Sequence, residues 1–420
     1  MASSRPIGPR IVNRARATRD RLTSSAVWLE LDRALMRLAW RHPRSSTRAP
    51  YDHVILTTVG LGNIGDQAML EAVLSRVSGR VAVVYPRANS GLDAHRSGGM
   101  SVDEISLDAL IAGPIVSHVR NVFRLGRLLQ RAGHLTIVGA DIMDGSYDVR
   151  EAVVRFAILE MSARRGTSAR IVGFSWSDHP HRLAARAARR LPASAGLFVR
   201  DPQSEGRLRD LGVLGTTATA DVVFTMNQPL DCIEAEWLRA WRGSGHKPLI
   251  VNVSGLLKDR LGQAYVDGLI DVCRRLLAAG YGILFVPHVL RLGDDDLGAT
   301  LLVAREFSGS SRIHVVERQL SPAEVQGVAR EALGVITGRM HLSILALSQG
   351  TPAVVMSSQG KVSGMLGFFN LERLEVDPTR PFVENTVLAI AEAVAPATRE
   401  SVRIGLPSVI RLAERNFVGL

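Results

Sequence analysis

A short polar loop, Gly338-Arg339-Met340-His341, carries side chains suited to chemistry on an anionic substrate. It lies between the apolar stretches 332–337 and 342–347, which predict a strand and a helix. Open α/β sheets bind ligands at loops that follow the carboxyl ends of strands. Arg339 offers a forked cation and His341 an imidazole, the side-chain type used most often for proton transfer, so the loop predicts anion binding with acid–base chemistry. The alternative is that Arg339 pairs with a local carboxylate and His341 caps the helix.

A glycine-rich loop between a predicted strand and helix matches the dinucleotide-binding pattern G-x-G-x-x-G over residues 60–65. Two features weigh against a nicotinamide cofactor. The next strand ends in Pro86-Arg87 without the acid that binds a ribose. Asp66 also stands where its charge competes with a pyrophosphate for the helix start. Arg87 could serve a 2′-phosphate, so an NADP-dependent reductase stays open as a minor alternative.

Further polar loops follow apolar strands in the first half of the chain. They are Gly139-Ala140-Asp141, residues 175–178 and residues 200–204. If the strands are parallel, these loops converge on one edge of the sheet. Arg200 is the most prominent cation among them, and the alternative to ligand binding is an ion pair with Asp201 or Glu205.

Strands alternate with helices through most of the chain, which predicts a mainly parallel α/β architecture. A seam near residues 225–247, with Pro and Gly clusters, separates two such alternating units. We therefore predict two Rossmann-like domains, with the following division: a basic arm with a helix and linker over 1–50, an N-terminal domain over 51–230, a C-terminal domain over 246–398, and a C-terminal helix over 399–420 that reaches back across the seam.

Most of the net positive charge lies in the first 50 residues. The formal charge of the chain is +11, and residues 1–50 hold 11 arginines against three acids. The rest of the chain is close to neutral, so the basic character belongs to an arm rather than to the folded body. Direct recognition of nucleic acid is therefore not expected.

Within the arm, apolar residues at helical spacing predict an amphipathic helix through Val27, Leu31, Ala34, Leu35 and Leu38. Arginines occupy other positions of the same turns, as in helices that lie on anionic membrane surfaces. The alternative, which we favour at this stage, is that the helix packs on the body of the protein or on a second subunit. A homo-oligomer is therefore left open.

The remaining composition indicates a cytoplasmic protein. No apolar run reaches the roughly 18 residues of a membrane span, and the start lacks a signal-peptide pattern. The two cysteines, Cys232 and Cys273, stand far apart and outside any metal-binding motif. We expect no metal, and a cytoplasmic location that becomes peripheral at the inner face of the membrane if the arm binds lipid.

Six polar segments follow one another between about residues 54 and 371: Gly62-Asn63-Ile64-Gly65-Asp66, Arg200-Asp201 with Ser204, Ala220-Asp221-Val222-Val223-Phe224, Pro287-His288 with Asp294-Asp295-Asp296, Arg339-Met340-His341, and Lys361 before Gly364. Taken in this order, they resemble the polysaccharide pyruvyl transferase family. Two features depart from the usual pattern of that family: the loop Gly139-Ala140-Asp141 stands where the family often has a glycine-rich loop, and Met340 replaces a leucine.

The resemblance implies two Rossmann-like domains facing a cleft, similar to GT-B glycosyltransferases. It implies transfer of pyruvate from phosphoenolpyruvate to sugar hydroxyls, which forms a ketal on a surface polysaccharide or its precursor. Phosphoenolpyruvate is then a donor substrate, the partner is a saccharide acceptor, and no cofactor is needed.

The resemblance also implies roles for individual residues. Arg339 and Arg200, one from each domain, would clamp the phosphate and carboxylate of the donor. His341 is the first candidate for the general acid or base, and His288 is the second unless it is only a hydrogen-bonded loop residue. A carboxylate of the acidic triplet 294–296 could orient a histidine or bind the sugar. The triplet could also hold a divalent ion, although three adjacent acids are more often a solvated turn. The residues assigned to substrate binding are Arg200, Asn63, Gly65, Asp66, Ser204, His288 and Lys361.

Two other classes of function fit the same sequence. A GT-B-type glycosyltransferase using a nucleotide sugar would share the two-domain plan. A catalytically inactive binding or scaffold protein would dock through its basic arm. Binding of UDP or GDP rather than phosphoenolpyruvate would distinguish the glycosyltransferase from a pyruvyl transferase. Absence of phosphate release from phosphoenolpyruvate would distinguish the inactive binding protein.

Overall fold

The computed structural model describes residues 26–40, 51–58, 60–87, 102–111, 113–291, 294–357 and 362–420. Within them the chain forms two large parallel β-sheets covered by helices, which confirms the predicted α/β class. We call the parts built around these sheets the N-terminal lobe and the C-terminal lobe. The residue boundaries given above for the two domains stay a prediction.

The N-terminal lobe is built on a seven-stranded parallel sheet of order β3-β2-β1-β4-β5-β6-β7. Its strands are β1 (Tyr51–Leu56), β2 (Val81–Tyr85), β3 (Val102–Ser106), β4 (Ala132–Ala140), β5 (Ser168–Phe174), β6 (Gly196–Val199) and β7 (Thr216–Ala218). Its helices are α1 (Ala26–Ala39), α2 (Ile64–Leu74), α3 (Ile115–Leu129), α4 (Val149–Arg164), α5 (Arg182–Ala188) and α6 (Pro202–Asp210). The central strands are apolar on both faces because helices cover both sides of the sheet.

The C-terminal lobe repeats the plan with a six-stranded parallel sheet of order β12-β9-β8-β13-β14-β15. Its strands are β8 (Lys247–Val251), β9 (Tyr281–Phe285), β12 (Ile313–Val315), β13 (Gly334–Thr337), β14 (Ala353–Met356) and β15 (Glu375–Val376), with a small hairpin of β10 (Leu290–Arg291) and β11 (Asp294–Asp295). The helices from the seam onward are α7 (Ile233–Gly243), α8 (Gly255–Leu261), α9 (Gln263–Ala278), α10 (Asp296–Ala304), α11 (Pro322–Glu331), α12 (Met340–Leu347), α13 (Ser363–Leu366), α14 (Val383–Ala393) and α15 (Pro396–Glu414).

Sequence periodicity predicts the central strands and one edge strand, β12, but misses the other three edge strands. β3, β7 and β15 are short and include half-buried or exposed positions. An edge strand needs no continuous apolar run, so its pattern can fail to stand out from a loop. Residues 115–129 form α3, a helix that the periodicity did not identify.

Helix α1 forms where the arm was predicted to be helical, but it buries a different face. Leu29, Asp32 and Met36 face the N-terminal lobe, whereas the predicted apolar face is largely exposed. Two polar contacts select the buried face. Arg33 donates through Nε to Glu160 at 2.8 Å, and Asp32 contacts Nε2 of His118 at 2.5 Å. The helix therefore packs on the body of the protein, as the favoured alternative proposed, and leaves an apolar stripe facing outward.

A loop contact joins the two lobes at the start of α2. The backbone N–H of Leu290 donates to the Gly62 carbonyl at 2.7 Å, and Ile64 N–H donates to the His288 carbonyl at 3.2 Å. Gly62 has φ of 81°, and a Cβ there would lie 2.2 Å from the Leu290 oxygen. Only glycine can therefore bring this loop against the β10–β11 hairpin.

The end of the chain also contacts the N-terminal lobe. After α15, the buried side chain of Asn416 donates from Nδ2 to the Ala220 carbonyl at 2.9 Å. Arg170 in β5 in turn donates to the carbonyls of Asn416 and Val418, at 3.1 and 2.9 Å. These bonds fix the last residues of the chain beside the segment that carries Asp221.

Replacing Asn416 by leucine is expected to lower the free energy of unfolding by ~1–3 kcal/mol, because buried backbone partners such as the Ala220 carbonyl lose their hydrogen bond. Urea denaturation of the full chain measures this. Ile404→Ala, at an exposed position of α15, is the matched control and should change stability by less than about 0.5 kcal/mol. Equal stability of the Asn416→Leu variant and the native chain would contradict the tethering role.

Candidate active site

The loops predicted to carry chemistry lie at the carboxyl edges of the two sheets, where the lobes meet. In the C-terminal lobe the loop after β13 leads directly into α12, with Arg339 at its N-cap and His341 in its first turn. In the N-terminal lobe, Asp141 follows β4 and Arg200 follows β6. This arrangement follows from parallel strands, whose carboxyl ends share one edge.

Arg339 is held by a buried carboxylate from the acidic triplet. Its Nη2 donates to Oδ1 of Asp296 at 2.6 Å, and its Nε donates to the same oxygen at 3.2 Å. Asp296 is fully buried and also accepts from Nδ2 of Asn252 at 2.9 Å and from the Gly255 N–H at 2.8 Å. Burial alone would raise the pKa of Asp296, but Arg339 and these donors lower it below its usual value. The solvated-turn interpretation is therefore wrong for Asp296.

Arg200 is the buried cation of the N-terminal lobe. It donates from Nε to Oγ of Ser175 at 2.7 Å, from Nη1 to Oδ2 of Asp221 at 3.0 Å, and from Nη2 to Asp141. The predicted alternative of an ion pair with Asp201 or Glu205 named the wrong partners. Its partners lie 21 and 59 residues away in sequence, which local reasoning could not reveal.

Asp221 connects Arg200 to His341 across the two lobes. Its Oδ2, which accepts from Arg200, lies 3.6 Å from Nε2 of His341, and its Oδ1 accepts from the Val223 N–H at 3.0 Å. Burial would raise the pKa of Asp221, but His341 and Arg200 lower it to about 2, so the side chain stays a carboxylate. The ordered motifs include Asp221 without predicting a role for it. The available signal was an acid three residues after the short strand β7.

The glycine-rich loop of the N-terminal lobe lies against His341. A Cβ on Gly65 would fall 2.6 Å from Nδ1 of His341, so the imidazole packs directly on this backbone. Asn63 caps α2, with its Oδ1 accepting from the Gly65 N–H at 3.0 Å.

Arg87 donates to Asp148 and Glu151, each at 2.7 Å. Its guanidinium is thus engaged by two carboxylates, which weakens the NADP alternative further.

Two groups close to His341, the half-buried Asp66 and the buried His288, have strongly shifted pKa values. Burial raises the pKa of Asp66 to about 6, an effect that His341 and Arg291 oppose only in part. Burial, with the charges of His341 and Arg339, lowers the pKa of His288 to about 3, although Asp296 opposes this. His288 therefore stays neutral near pH 7 and is a poor general acid. Its backbone N–H donates to Asp296 at 3.1 Å, which gives it a structural role in the loop.

The remaining predicted residues fall in two groups. Ser204 is buried within the N-terminal lobe, where its hydroxyl donates to Asp201 at 2.6 Å and accepts from the Trp176 N–H at 2.7 Å. It supports the loop that carries Arg200 and does not join the Arg339 and His341 cluster. Lys361 lies outside the residues that the structure describes.

A crevice of about 180 Å³ opens beside the Arg339 loop, between the lobes. One wall is polar and includes Asp141 and Tyr147, which is 53% exposed. The other walls are mostly apolar and include Leu256, Leu257, Met340, Val355, Met356 and Val362. A mostly apolar lining with a few polar groups is typical of small-molecule sites.

Over the described ranges, no group of three or more His, Cys, Asp or Glu side chains is arranged to hold a metal ion. None of the helices described there is both long and apolar enough to cross a membrane.

The raised pKa of Asp66 predicts a pH-dependent stability. Between its unfolded pKa near 3.8 and its folded pKa of about 6, the folded state binds more protons, so this group lowers stability as the pH rises. The free energy of unfolding of Asp66→Asn should therefore rise, relative to that of the native chain, by up to about 3 kcal/mol between pH 4 and pH 7. Urea unfolding at several pH values measures the difference. The control Asp178→Asn, at an exposed position, should show the same pH dependence of stability as the native chain. A stability difference between Asp66→Asn and the native chain that does not change with pH would contradict the raised pKa of Asp66.

Comparison with solved structures identifies the fold. The chain is similar to S. aureus MnaA in its co-structure with UDP, at 11% identity and a TM-score of 0.58 over 87% of this chain and 94% of the other. It is similar to UDP-GlcNAc 2-epimerase from Neisseria meningitidis, at 9% identity and a TM-score of 0.54 over 87% and 98%. It is also similar to sucrose-phosphate synthase from Thermosynechococcus elongatus, at 12% identity and a TM-score of 0.53 over 87% and 97%. At such low identities the likeness establishes the fold, a GT-B-like pair of parallel sheets, as predicted.

The family follows from the sequence match. The polysaccharide pyruvyl transferase model matches residues 63–360, a range that contains the end of the glycine-rich loop from Asn63, Arg200, Asp221, Asp296 and the Arg339 loop. This match covers well over half of the chain, and it confirms the resemblance drawn from the ordered motifs. The chain belongs to the polysaccharide pyruvyl transferase family.

Proposed function

We propose that this protein transfers pyruvate from phosphoenolpyruvate to two hydroxyls of a saccharide, forming a ketal on a surface polysaccharide or its precursor. The observation that carries this proposal is the cross-lobe cluster in which Asp221 joins Arg200 of one lobe to His341 of the other, beside Arg339. A compact, highly charged enol phosphate needs several cations and N–H donors around it. Arg339, a protonated His341 and the backbone N–H groups at the start of α12 supply the cations and donors that face the donor substrate.

The side chains divide into those that a ligand can reach and those that support them. Arg339 and His341 keep 12% and 13% of their side-chain surface exposed, whereas Arg200 and Asp221 keep 3% and 2%. We assign donor contact to Arg339, His341 and the free N–H groups at the start of α12. Arg200 acts through Asp221, as a positioning residue, rather than as the second arm of a clamp.

The reaction balances with protons from the acceptor alone. A proton added to C3 of phosphoenolpyruvate makes C2 electrophilic, and one acceptor hydroxyl adds there with loss of its proton. A second hydroxyl then attacks C2 as the C2–O bond to phosphate breaks, which leaves a methyl group and a carboxylate on the ketal carbon. One of the two hydroxyl protons ends in the methyl group and the other leaves with phosphate. His341 moves the proton, and the Asp221 carboxylate stabilises its charged form.

The acceptor is placed in the crevice beside the Arg339 loop. Its empty space lies next to Met340, so a sugar there would reach a donor bound at Arg339 and His341. The phenol of Tyr147 and the carboxylate of Asp141 offer a hydrogen-bond donor and an acceptor for hydroxyls. The apolar walls suit the flat face of a sugar ring or an apolar group attached to it.

Arg339→Ala and His341→Ala are expected to abolish most of the phosphate release from phosphoenolpyruvate with a panel of nitrophenyl or lipid-linked sugars. Loss of the charged hydrogen bonds of Arg339 should cost ~1.5–3 kcal/mol in kcat/KM, and loss of His341 should slow kcat by ~10²–10⁴-fold. The matched controls are Arg182→Ala and His179→Ala at exposed positions, which should keep native rates.

Arg339→Ala leaves Asp296 buried without its cation, so a defect in folding must be separated from a defect in binding. Arg339→Lys keeps the charge and tests whether the forked geometry is required. Calorimetry of the native chain with phosphoenolpyruvate, UDP and GDP tests the rival function. Binding of UDP or GDP without phosphoenolpyruvate would replace this proposal by a nucleotide-sugar transferase, and release of phosphate unchanged in both alanine variants would remove the site assignment.

Asp221→Asn separates positioning from donor binding. We expect kcat to fall ~10–100-fold, because the amide cannot stabilise a protonated imidazole, while KM for phosphoenolpyruvate changes by only a few-fold. Steady-state kinetics with phosphoenolpyruvate as the varied substrate measures both parameters. A large rise in KM with kcat unchanged would show instead that Asp221 or Arg200 contacts the donor.

A further inference from the structure

Two neighbouring helices of the N-terminal lobe expose an unusual number of large apolar side chains. On α1, Val27, Leu31 and Leu38 are 72%, 59% and 48% exposed. On α3, Ile115 and Val116 are 52% and 82% exposed. Single exposed apolar residues are common on proteins, but a concentration on adjoining elements marks a contact surface.

The two helices lie side by side and run in the same direction. Asp32 of α1 meets His118 of α3, and seven residues further along α1 the Ala39 carbonyl lies against Gly126. Their buried faces hold residues such as Met36 and Val122 against the lobe. The outward faces are therefore fixed in place together, and we call them the α1–α3 surface.

The α1–α3 surface is basic as well as apolar. Arg37, Arg120, Arg124 and Arg127 are exposed on these helices, and the sequence of α3 contains no Asp or Glu. The acids of α1 are already used, because Glu30 binds Arg190 at 2.6 Å and Asp32 is buried with His118. Residues 1–25, which lead directly into α1, add six arginines against one aspartate.

We propose that the α1–α3 surface docks on an anionic phospholipid bilayer. The apolar residues would enter the boundary between headgroups and acyl chains while the arginines meet lipid phosphates, which is how basic amphipathic helices bind membranes. A second copy of this chain is a poor occupant, because self-docking brings arginines against arginines with no carboxylate between them. A nucleic acid would use the arginines but not the exposed valines and leucine.

The position of this surface relates it to the site. Helix α3 begins after β3, so its first residues lie toward the carboxyl edge of the seven-stranded sheet, the edge that also carries Asp141 and Arg200. Docking through Val27, Ile115 and Val116 would hold the crevice close to the headgroups. This favours an acceptor saccharide carried on a lipid, a point that rests on the proposed function, whereas the docking itself does not.

Sedimentation of the full chain with vesicles tests the docking. The native chain should pellet with vesicles of phosphatidylglycerol mixed with phosphatidylcholine and stay in solution with phosphatidylcholine alone. Changing Val27, Leu31 and Val116 together to glutamate should abolish pelleting. Changing Arg120, Arg124 and Arg127 to glutamine should weaken it about fivefold for each arginine. The matched control, Leu388→Glu with Ile404→Glu, changes equally exposed apolar residues of the C-terminal lobe and should bind like the native chain.

Several outcomes would overturn the proposal. The native chain could remain in solution with anionic vesicles, or the glutamate and glutamine variants could pellet as well as the control. Light scattering could also reveal a dimer that the glutamate variant disrupts, which would assign the surface to a second copy. Pelleting needs neither phosphoenolpyruvate nor an acceptor, so failure here leaves the proposed reaction to its own assays, and failure of those assays leaves this result standing.

Discussion

The candidate site depends on the contacts that the buried carboxylate of Asp221 makes. A carboxylate without solvent is costly unless cations or donors surround it, and this one obtains Arg200 from its own lobe and His341 from the other. The packing of one lobe against the other therefore both completes the surroundings of Asp221 and positions His341. The backbone at Gly65 completes the contact, because its missing side chain lets the imidazole approach.

A second buried carboxylate, Asp296, organises the opposite side of the same site. It accepts hydrogen bonds from loops after β8 and β9 as well as from Arg339, so three segments of the C-terminal lobe share one anion. With both carboxylates engaged, Arg339 and His341 are held in place before any ligand arrives. Preorganised charges of this kind need little rearrangement when charge develops during a reaction.

The same two-sheet plan occurs in UDP-GlcNAc 2-epimerase from Neisseria meningitidis and in sucrose-phosphate synthase from Thermosynechococcus elongatus. A shared fold therefore carries little information about chemistry, which depends on the side chains placed at the strand ends. In this chain those side chains form a charged cluster of Arg200, Asp221 and the Arg339 loop. The basic and apolar outer surface belongs to α1 and α3, on elements that the cluster does not use.

The sequence alone determined the alternation of strands and helices, the two-lobed α/β class and the loop that carries Arg339 and His341, because periodicity and loop position are local properties. Tertiary structure alone decided the partners, since Asp296 lies 43 residues from Arg339 and Asp221 meets His341 only across the lobes. It also decided which face of α1 is buried. An apolar stripe shows that a helix is amphipathic, but the ion pair of Arg33 with Glu160 selected the other face.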